Sequence, residues 1–214
     1  MTHTPYIAIS SNPATAVLYG IAVVVVLALA GLQTARADTP PSQTLAAELL
    51  IVRGDLARLY MTNNLPPAHI DGLRDRIAGA LGLLPWLLRQ VGDDAGALRL
   101  RASSDSALID NLDLLIARHP LDLSPYELEH LTAQQRREAV AIHDTYCAGC
   151  HDDTGQGDPD TALPARDLFE MAKEAAPEVF LARLINGVKG DETLLFANPL
   201  TPAQIGALWH LYRR

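Results

Sequence analysis

The sequence predicts an all-helical protein. Apolar residues make up 49% of the 214 residues, whereas aromatic residues make up only 5%. Leu and Ala are the common apolar types, and no long β-branched run follows residue 32, which favours helices over strands. Apolar residues also recur at helical spacing through most of the chain. A chain of this length holds one domain, or a small domain with an extension.

The first 37 residues are expected to serve export. Residues 16–32, "AVLYGIAVVVVLALAGL", carry no charge, and small residues flank Arg36 just before Asp38, which is typical of a cleaved signal peptide. The segment before the apolar run has no Lys or Arg, and 17 apolar residues are at the lower limit for a membrane span. An uncleaved anchor in the inner membrane is therefore the alternative. Both interpretations place residues 38–214 in the periplasm.

The exported part of the chain is acidic. Removal of the first 37 residues takes away one basic residue and leaves 16 Lys and Arg against 25 Asp and Glu, a formal net charge of −9. This charge disfavours nucleic acid and anionic lipid surfaces as partners. It suits an exported protein that meets basic surfaces on partner proteins.

Residues 38–44 are predicted to form a linker, and residues 45–120 a helical extension. The first helix has apolar residues at 4-3-4-3 spacing, namely Leu45, Leu49, Val52, Leu56 and Leu59. The second helix has an apolar face between residues 70 and 91 that Pro85 is expected to interrupt. The stretch "GDDAG" at 92–96 is predicted to be a loop. A third helix follows, and the three helices predict an antiparallel bundle.

Residues 121–214 are predicted to form a second helical domain. Two capping boxes mark helix starts in this part, Thr132 with Gln135 and Thr201 with Gln204. The first of these helices leads directly into the two cysteines of the chain. A loop rich in Gly and Asp, at 152–166, and two short helices separate it from the last helix.

The stretch "CAGCH" is predicted to attach a haem group. Cys147 and Cys150 are the only cysteines, and His151 follows the second one directly. This C-x-x-C-H pattern is that of c-type haem attachment. Two thiols separated by two residues on a helical turn can add to the two vinyl groups of the porphyrin. The adjacent histidine is then the proximal iron ligand, so the sequence predicts one covalently attached haem c.

Three other kinds of site fit the same stretch less well. A redox dithiol normally lies beside a βαβ pattern, and no strand is predicted here. A zinc site needs a fourth ligand, usually from a second Cys/His pair, and no such pair follows. The loop "DDTGQGDPDTAL" resembles a calcium-binding loop as far as Gly157, but it has Leu163 where a bidentate Glu is required.

From about residue 131 to 214 the sequence resembles the class I cytochromes c. The stretches "REAVAIHDTYCAGCHDDTGQG", "FLARLINGV" and "LTPAQIGALWHLY" are similar to the family's first helix with its haem motif, its I-x-x-G helix and its last helix. "ALPARDL" resembles the loop whose proline carbonyl accepts the ring N–H of the proximal histidine. The resemblance implies that Pro164 orients His151, and that Trp209 packs on the first helix of the domain. Residues 45–118 resemble no family.

The resemblance fails at the sixth iron ligand. The family usually supplies a methionine between the I-x-x-G helix and the last helix, but alignment on Phe196 puts Thr193 at that position. Met171 lies too early in the chain and is expected to pack within a helix. Lys189 is the best local nitrogen donor, although acidic neighbours oppose loss of its proton. The histidines elsewhere are expected to be exposed or to pack: His69, His119, His130, His143 and His210. We therefore expect no methionine ligation.

These features together predict an exported c-type cytochrome that transfers single electrons and is a carrier rather than an enzyme. Redox proteins are the expected partners, with a membrane oxidoreductase complex among the candidates; nucleic acid is not expected, and membrane only if the N-terminal segment stays uncleaved. Two alternatives remain open. One is a five-coordinate haem protein that binds a diatomic gas or peroxide. The other is a haem-bearing structural subunit, docked on a membrane complex through residues 45–118.

Overall fold

The computed structural model describes residues 40–187 and 198–214, where the chain forms nine helices and no strand. The all-helical prediction is therefore confirmed. The helices are α1 (Pro41–Met61), α2 (Pro67–Gln90), α3 (Asp94–Arg101), α4 (Asp105–Arg118), α5 (Ala133–Tyr146), α6 (Ala148–His151), α7 (Leu168–Glu174), α8 (Pro177–Asn186) and α9 (Pro202–Tyr212). Within these residues no helix is both long and apolar enough to span a bilayer. The predicted export segment, residues 1–37, lies outside them.

Helix α1 begins at Pro41, so the stretch predicted to be a linker is partly helical. Proline is tolerated at the first helical position because the N–H that it lacks would have no partner there. Burial begins three residues further on, since Thr44 is 4% exposed and Leu45 is fully buried. Early burial explains why the helix extends to this end of the predicted linker.

Helix α2 runs from Pro67 to Gln90 and contains Pro85, which was expected to interrupt it. A proline inside a helix removes one hydrogen bond and costs about 3 kcal/mol. The neighbouring side chains of Leu84, Leu87 and Leu88 are each at most 2% exposed. Burial of such side chains stabilises by about 1.5–3 kcal/mol each, which offsets the cost of the proline.

Helix α3 lies partly in the "GDDAG" stretch that was predicted to be a loop. The Asp93 carboxylate caps it by accepting a hydrogen bond from the Gly96 N–H at 2.8 Å. A Cβ on Gly96 would lie 2.5 Å from that carboxylate, so glycine lets the cap close. Residues 41–118 therefore contain four helices, not the three predicted, because turn-forming residues here cap a helix.

The side chains between α1, α2, α3 and α4 form one apolar cluster. Its buried members are Leu45, Leu49, Val52, Leu56, Ile77, Ala80, Leu84, Leu87, Leu88, Ala97, Leu100, Leu112 and Leu115. The first four are among the five residues whose 4-3-4-3 spacing predicted a buried face on α1, and the fifth, Leu59, is partly buried and packs against the cluster. A second face of α1 joins another cluster, in which Ala47 and Ile51 meet Leu181 and Ile185 of α8.

Helices α1 and α8 approach closely where α1 has a glycine. A Cβ on Gly54 would lie 2.6 Å from Cγ1 of Val179. The next residue, Asp55, is 1% exposed and accepts hydrogen bonds from Arg76 Nε at 2.7 Å and from Arg183 at 2.5 Å. Six residues before the glycine, the Asn186 amide donates to the Glu48 carboxylate at 3.1 Å. Apolar and polar contacts thus join the extension to the helices near the C-terminus.

We expect stability to depend on Asp93 in acid. Hydrogen bonds from His119 above all, and also from Gly96 and Arg118, outweigh burial and lower the pKa of Asp93 from 3.8 to about 2. The stabilisation is present above the unfolded pKa and is lost as the pH falls through about 2. Urea unfolding of the wild type should show a loss of stability between about pH 4 and pH 2 that is smaller in Asp93→Asn, which can still cap α3. Identical pH dependence would contradict this assignment.

Candidate functional site

Helix α5 ends directly before a single helical turn that contains both cysteines. The predicted capping box is present at its start, with Gln135 N–H donating to the Thr132 hydroxyl at 3.1 Å. After α5 ends, the backbone N–H groups of Cys150 and His151 both donate to the carbonyl oxygen of Cys147, at 3.1 and 3.0 Å. Both cysteines and the histidine therefore lie on one helical turn, which begins at Cys147 and includes α6. Both thiols are free, with Cys147 half-buried and Cys150 exposed.

The ring of His151 is held by a backbone carbonyl. Its Nδ1 lies 2.6 Å from the carbonyl oxygen of Arg166. Because a carbonyl oxygen can only accept, Nδ1 carries the proton and the lone pair of the ring is on Nε2. The arrangement selects the tautomer in which Nε2 can bind a metal.

The carbonyl acceptor corrects the role predicted for Pro164. That proline lies two residues before Arg166 and packs on Gly157, where a Cβ would lie 2.5 Å from the proline Cγ. Gly157 has φ 87°, a conformation that favours glycine. Pro164 therefore packs within the loop, and Arg166 orients the histidine. The sequence carries no side-chain signal for this role, because any residue type presents the same carbonyl group.

The side chain of Arg166 fixes the position of that carbonyl. It is 7% exposed, and its guanidinium donates to Gln156 at 2.9 Å and to the carboxylate of Glu174. Burial alone would raise the pKa of Glu174, but hydrogen bonds from Gln156 and Arg166 lower it. These contacts tie the loop after the cysteines to the end of α7.

A buried polar chain lies beside Cys147 and was not predicted. His143 is 6% exposed, with Nδ1 2.9 Å from the Tyr212 hydroxyl and Nε2 3.0 Å from a carboxylate oxygen of Asp152. Burial raises the pKa of Tyr212, and the charge of Cys147 and its hydrogen bond add to this effect. The chain connects α5, the end of α6 and α9 around one of the two thiols. The only sequence signal was a histidine four residues before the first cysteine.

The extension contacts the loop that follows the cysteines. His69 of α2 is 3% exposed, and its Nε2 lies 2.8 Å from the carbonyl oxygen of Asp158. Further along α2, a Cβ on Gly72 would lie 2.7 Å from the backbone nitrogen of Leu163. The extension thus supports the loop through one hydrogen bond and one close backbone contact. The other histidine of the extension, His119, is 2.9 Å from the Asp93 carboxylate.

The predicted sixth-ligand segment falls outside the described residues, since it includes Lys189, Thr193 and Phe196. Its flanks are described: α8 ends at Asn186, and Asn198 donates to the carbonyl oxygen of Ile185 at 3.0 Å. Met171 is partly buried and packs against the cluster that α5, α7, α8 and α9 share. Trp209 packs against the same cluster, which includes α5 residues.

No group of three or more His, Cys, Asp or Glu side chains converges on one point in residues 40–187 and 198–214. The donors at the site are two thiols and one imidazole nitrogen, arranged along a single turn of backbone. Comparison with known proteins found no matching protein-family model, curated protein or solved structure.

Proposed function

We propose that this chain is an exported c-type cytochrome that binds one haem c covalently and transfers single electrons. The observation that carries the proposal is the 2.6 Å contact between His151 Nδ1 and the Arg166 carbonyl, next to two free cysteines on the same turn. An imidazole held in this way presents Nε2 as a neutral ligand. Free thiols beside it are the groups that thioether attachment needs.

In this proposal each residue of the turn has a separate role. Cys147 and Cys150 hold the porphyrin, and His151 ligates its iron. A bound haem supplies a one-electron couple whose potential depends on the ligands, the hydrogen bonds and the burial around it. Arg166 holds the His151 ring through its carbonyl group, while its guanidinium binds Gln156 and Glu174.

The helical extension, residues 45–120, supports the loop on the carboxyl side of the cysteines. Its contribution rests on the His69 bond to the Asp158 carbonyl and on the close approach of Gly72 to Leu163. Export to the periplasm belongs to the same proposal, because bacteria attach haem to such cysteines outside the cytoplasm. Partner redox proteins with basic surfaces suit the acidic exported chain.

The attachment is tested by haem extraction. Protein produced with the c-type haem maturation machinery should carry one haem per chain that survives acid-acetone treatment. The double variant Cys147→Ala/Cys150→Ala should carry none, because both thioether bonds are lost. Each single variant should keep haem through one bond and show a reduced haem spectrum shifted to longer wavelength, since one vinyl group stays unsaturated.

His210→Ala is the matched control, because it removes a histidine of α9 that lies outside the cysteine turn. It should retain the same covalent haem as the wild type. Haem that extracts freely from the wild type, or that the double cysteine variant retains covalently, would overturn the proposal.

A further inference from the structure

The outer face of α2 carries a regular stripe of exposed residues. They follow one another at a spacing of 4-4-3-4-3, namely Asp71, Asp75, Gly79, Gly82, Trp86 and Arg89. Such a spacing keeps residues on one side of a helix and is the period of a helix-pairing seam. The opposite side of α2 is buried in the core through Ile77, Leu84 and Leu88. We call these six exposed residues the α2 stripe.

Trp86 is the large apolar member of the stripe. It is 51% exposed, although a tryptophan contributes most when its ring is buried and its N–H has an acceptor. Its neighbours on the stripe are Gly82, which has no side chain to cover the indole, and Arg89. This combination is typical of an anchor residue at a protein–protein interface.

The two glycines of the stripe lower the stability of α2 in the single chain. Gly79 and Gly82 lie in the middle of a 24-residue helix, where each destabilises by about 1 kcal/mol relative to alanine. A Cβ built on either would have no atom within 4 Å in the described part of the chain. No internal contact there requires glycine, whereas the close approach of another helix does.

The charges of the stripe are separated along the helix. Asp71 and Asp75 lie toward its start, and Arg89 lies toward its end. Asp75 has no ion pair within the described residues, while Asp71 and Arg89 have exposed contacts of 3.4 Å with Arg74 and 3.8 Å with Asp94. Exposed contacts of this kind are worth little, so these side chains can pair elsewhere.

A second copy of α2 in antiparallel orientation complements this pattern. With the two-fold axis midway between Gly79 and Gly82, each of these glycines faces the other one on the second copy. Asp75 then meets Trp86 of the second copy and can accept the indole N–H bond. Asp71 approaches Arg89, and the two helix dipoles run in opposite directions, which is favourable.

We propose that the α2 stripe is an isologous interface through which two copies of this chain form a dimer. The stripe is self-complementary in shape and in charge, which a two-fold axis requires. One pair of helices makes a small interface, so the dimer should dissociate at about micromolar concentration.

Analytical ultracentrifugation of the haem-loaded protein between about 0.1 and 100 μM tests the proposal, since this range brackets micromolar dissociation. The wild type should shift from the monomer mass toward twice that mass. Gly82→Leu should abolish the shift by holding the helices apart. Its stability as a monomer should stay unchanged or rise, because leucine is a better helix former in open space.

The charges provide a sharper test of orientation. Asp71→Arg or Arg89→Asp should each weaken dimerisation about tenfold or more, which corresponds to about 1.4 kcal/mol, and the double variant should restore it. Leu114→Ala is the control, because Leu114 is 54% exposed on α4 and should have no effect. A monomer at every concentration, or a dimer that Gly82→Leu leaves intact, would overturn the interface. Failure of the double variant to restore dimerisation would overturn the antiparallel orientation.

Discussion

Replacement of Asp55 by alanine should lower the free energy of unfolding by about 3–5 kcal/mol. The carboxylate is 1% exposed and lies between Arg76 of α2 and Arg183 of α8. Without it, two largely buried guanidinium groups lose their shared partner. A buried ion whose partner is removed costs much more than the pair itself contributes. Urea unfolding of wild type and variant, produced under the same conditions, measures the difference.

The charges around Asp55 increase the expected effect. Arg58 lies one turn further along α1. It is close enough to Asp55, Arg76 and Arg183 for their charges to shift the pKa of Arg58. Burial first, and then the charges of Arg166 and Arg76, lower the pKa of Arg58 to about 10. Positive charge is therefore already in excess here, and removal of Asp55 adds to it.

Asp113→Ala is the matched control for this prediction. Asp113 forms an ion pair with Arg53 of α1 at 2.8 Å, but the two side chains are 51% and 31% exposed. Its loss should cost at most about 1 kcal/mol, because water replaces the partner of an exposed ion. Asp55→Asn should resemble Asp55→Ala, since it retains shape but removes the charge. Equal losses for Asp55→Ala and Asp113→Ala would contradict the assignment.

Replacement of Gly206 by alanine should destabilise the protein by about 2–3 kcal/mol. Helix propensity alone predicts a gain of about 1 kcal/mol, because Gly206 lies inside α9. A Cβ there would lie 2.4 Å from the carbonyl oxygen of Tyr126 and 3.1 Å from its carbonyl carbon. Backbone atoms cannot rotate away as a side chain does, so the helix has to move. The steric clash therefore outweighs the gain in helix propensity, and the substitution should lower the free energy of unfolding.

A displaced α9 should also affect the candidate site. The same helix carries Tyr212, whose hydroxyl is 2.9 Å from His143 beside the first cysteine. Thermal unfolding should show the loss of stability, and the spectrum of the proposed haem should report any change at the site. Ala203→Leu is the control, because Ala203 is exposed in the first turn of α9 and should change stability by no more than about 0.5 kcal/mol. A more stable Gly206→Ala protein would contradict the close approach.

Features that depend on a few neighbouring residues could be predicted without knowledge of the fold. Both capping boxes are present, with Thr132 and Thr201 each accepting from the N–H three residues on. The two cysteines and His151 lie on one helical turn, as their spacing implied. Side chains that bond to their own backbone leave a short pattern that can be recognised without the fold. The apolar spacing of α1 predicted its buried face, because residues three and four apart lie on the same side of a helix.

Packing decided the features that the same local rules missed. Pro85 is typical of a helix end, yet α2 continues through it because the leucines around it are buried. Asp93 and Gly96 are typical of a loop, yet together they cap α3. At Pro85, the free energy gained by burial outweighs the cost of a proline inside a helix. At Asp93, a residue that disfavours the interior of a helix caps the start of one. Local propensity therefore predicted the helical class but not every helix.

The identity of the residues around the cysteine turn, and their contacts with the extension, depend on how distant parts of the chain pack together. The group that orients His151 is the carbonyl of Arg166, which leaves no trace in side-chain pattern. The Asp55–Arg183 pair joins residues 128 positions apart, and His143 meets Tyr212 across 69 positions. Such contacts depend on how whole helices pack, because bringing distant segments together costs chain entropy that a shared buried core must offset.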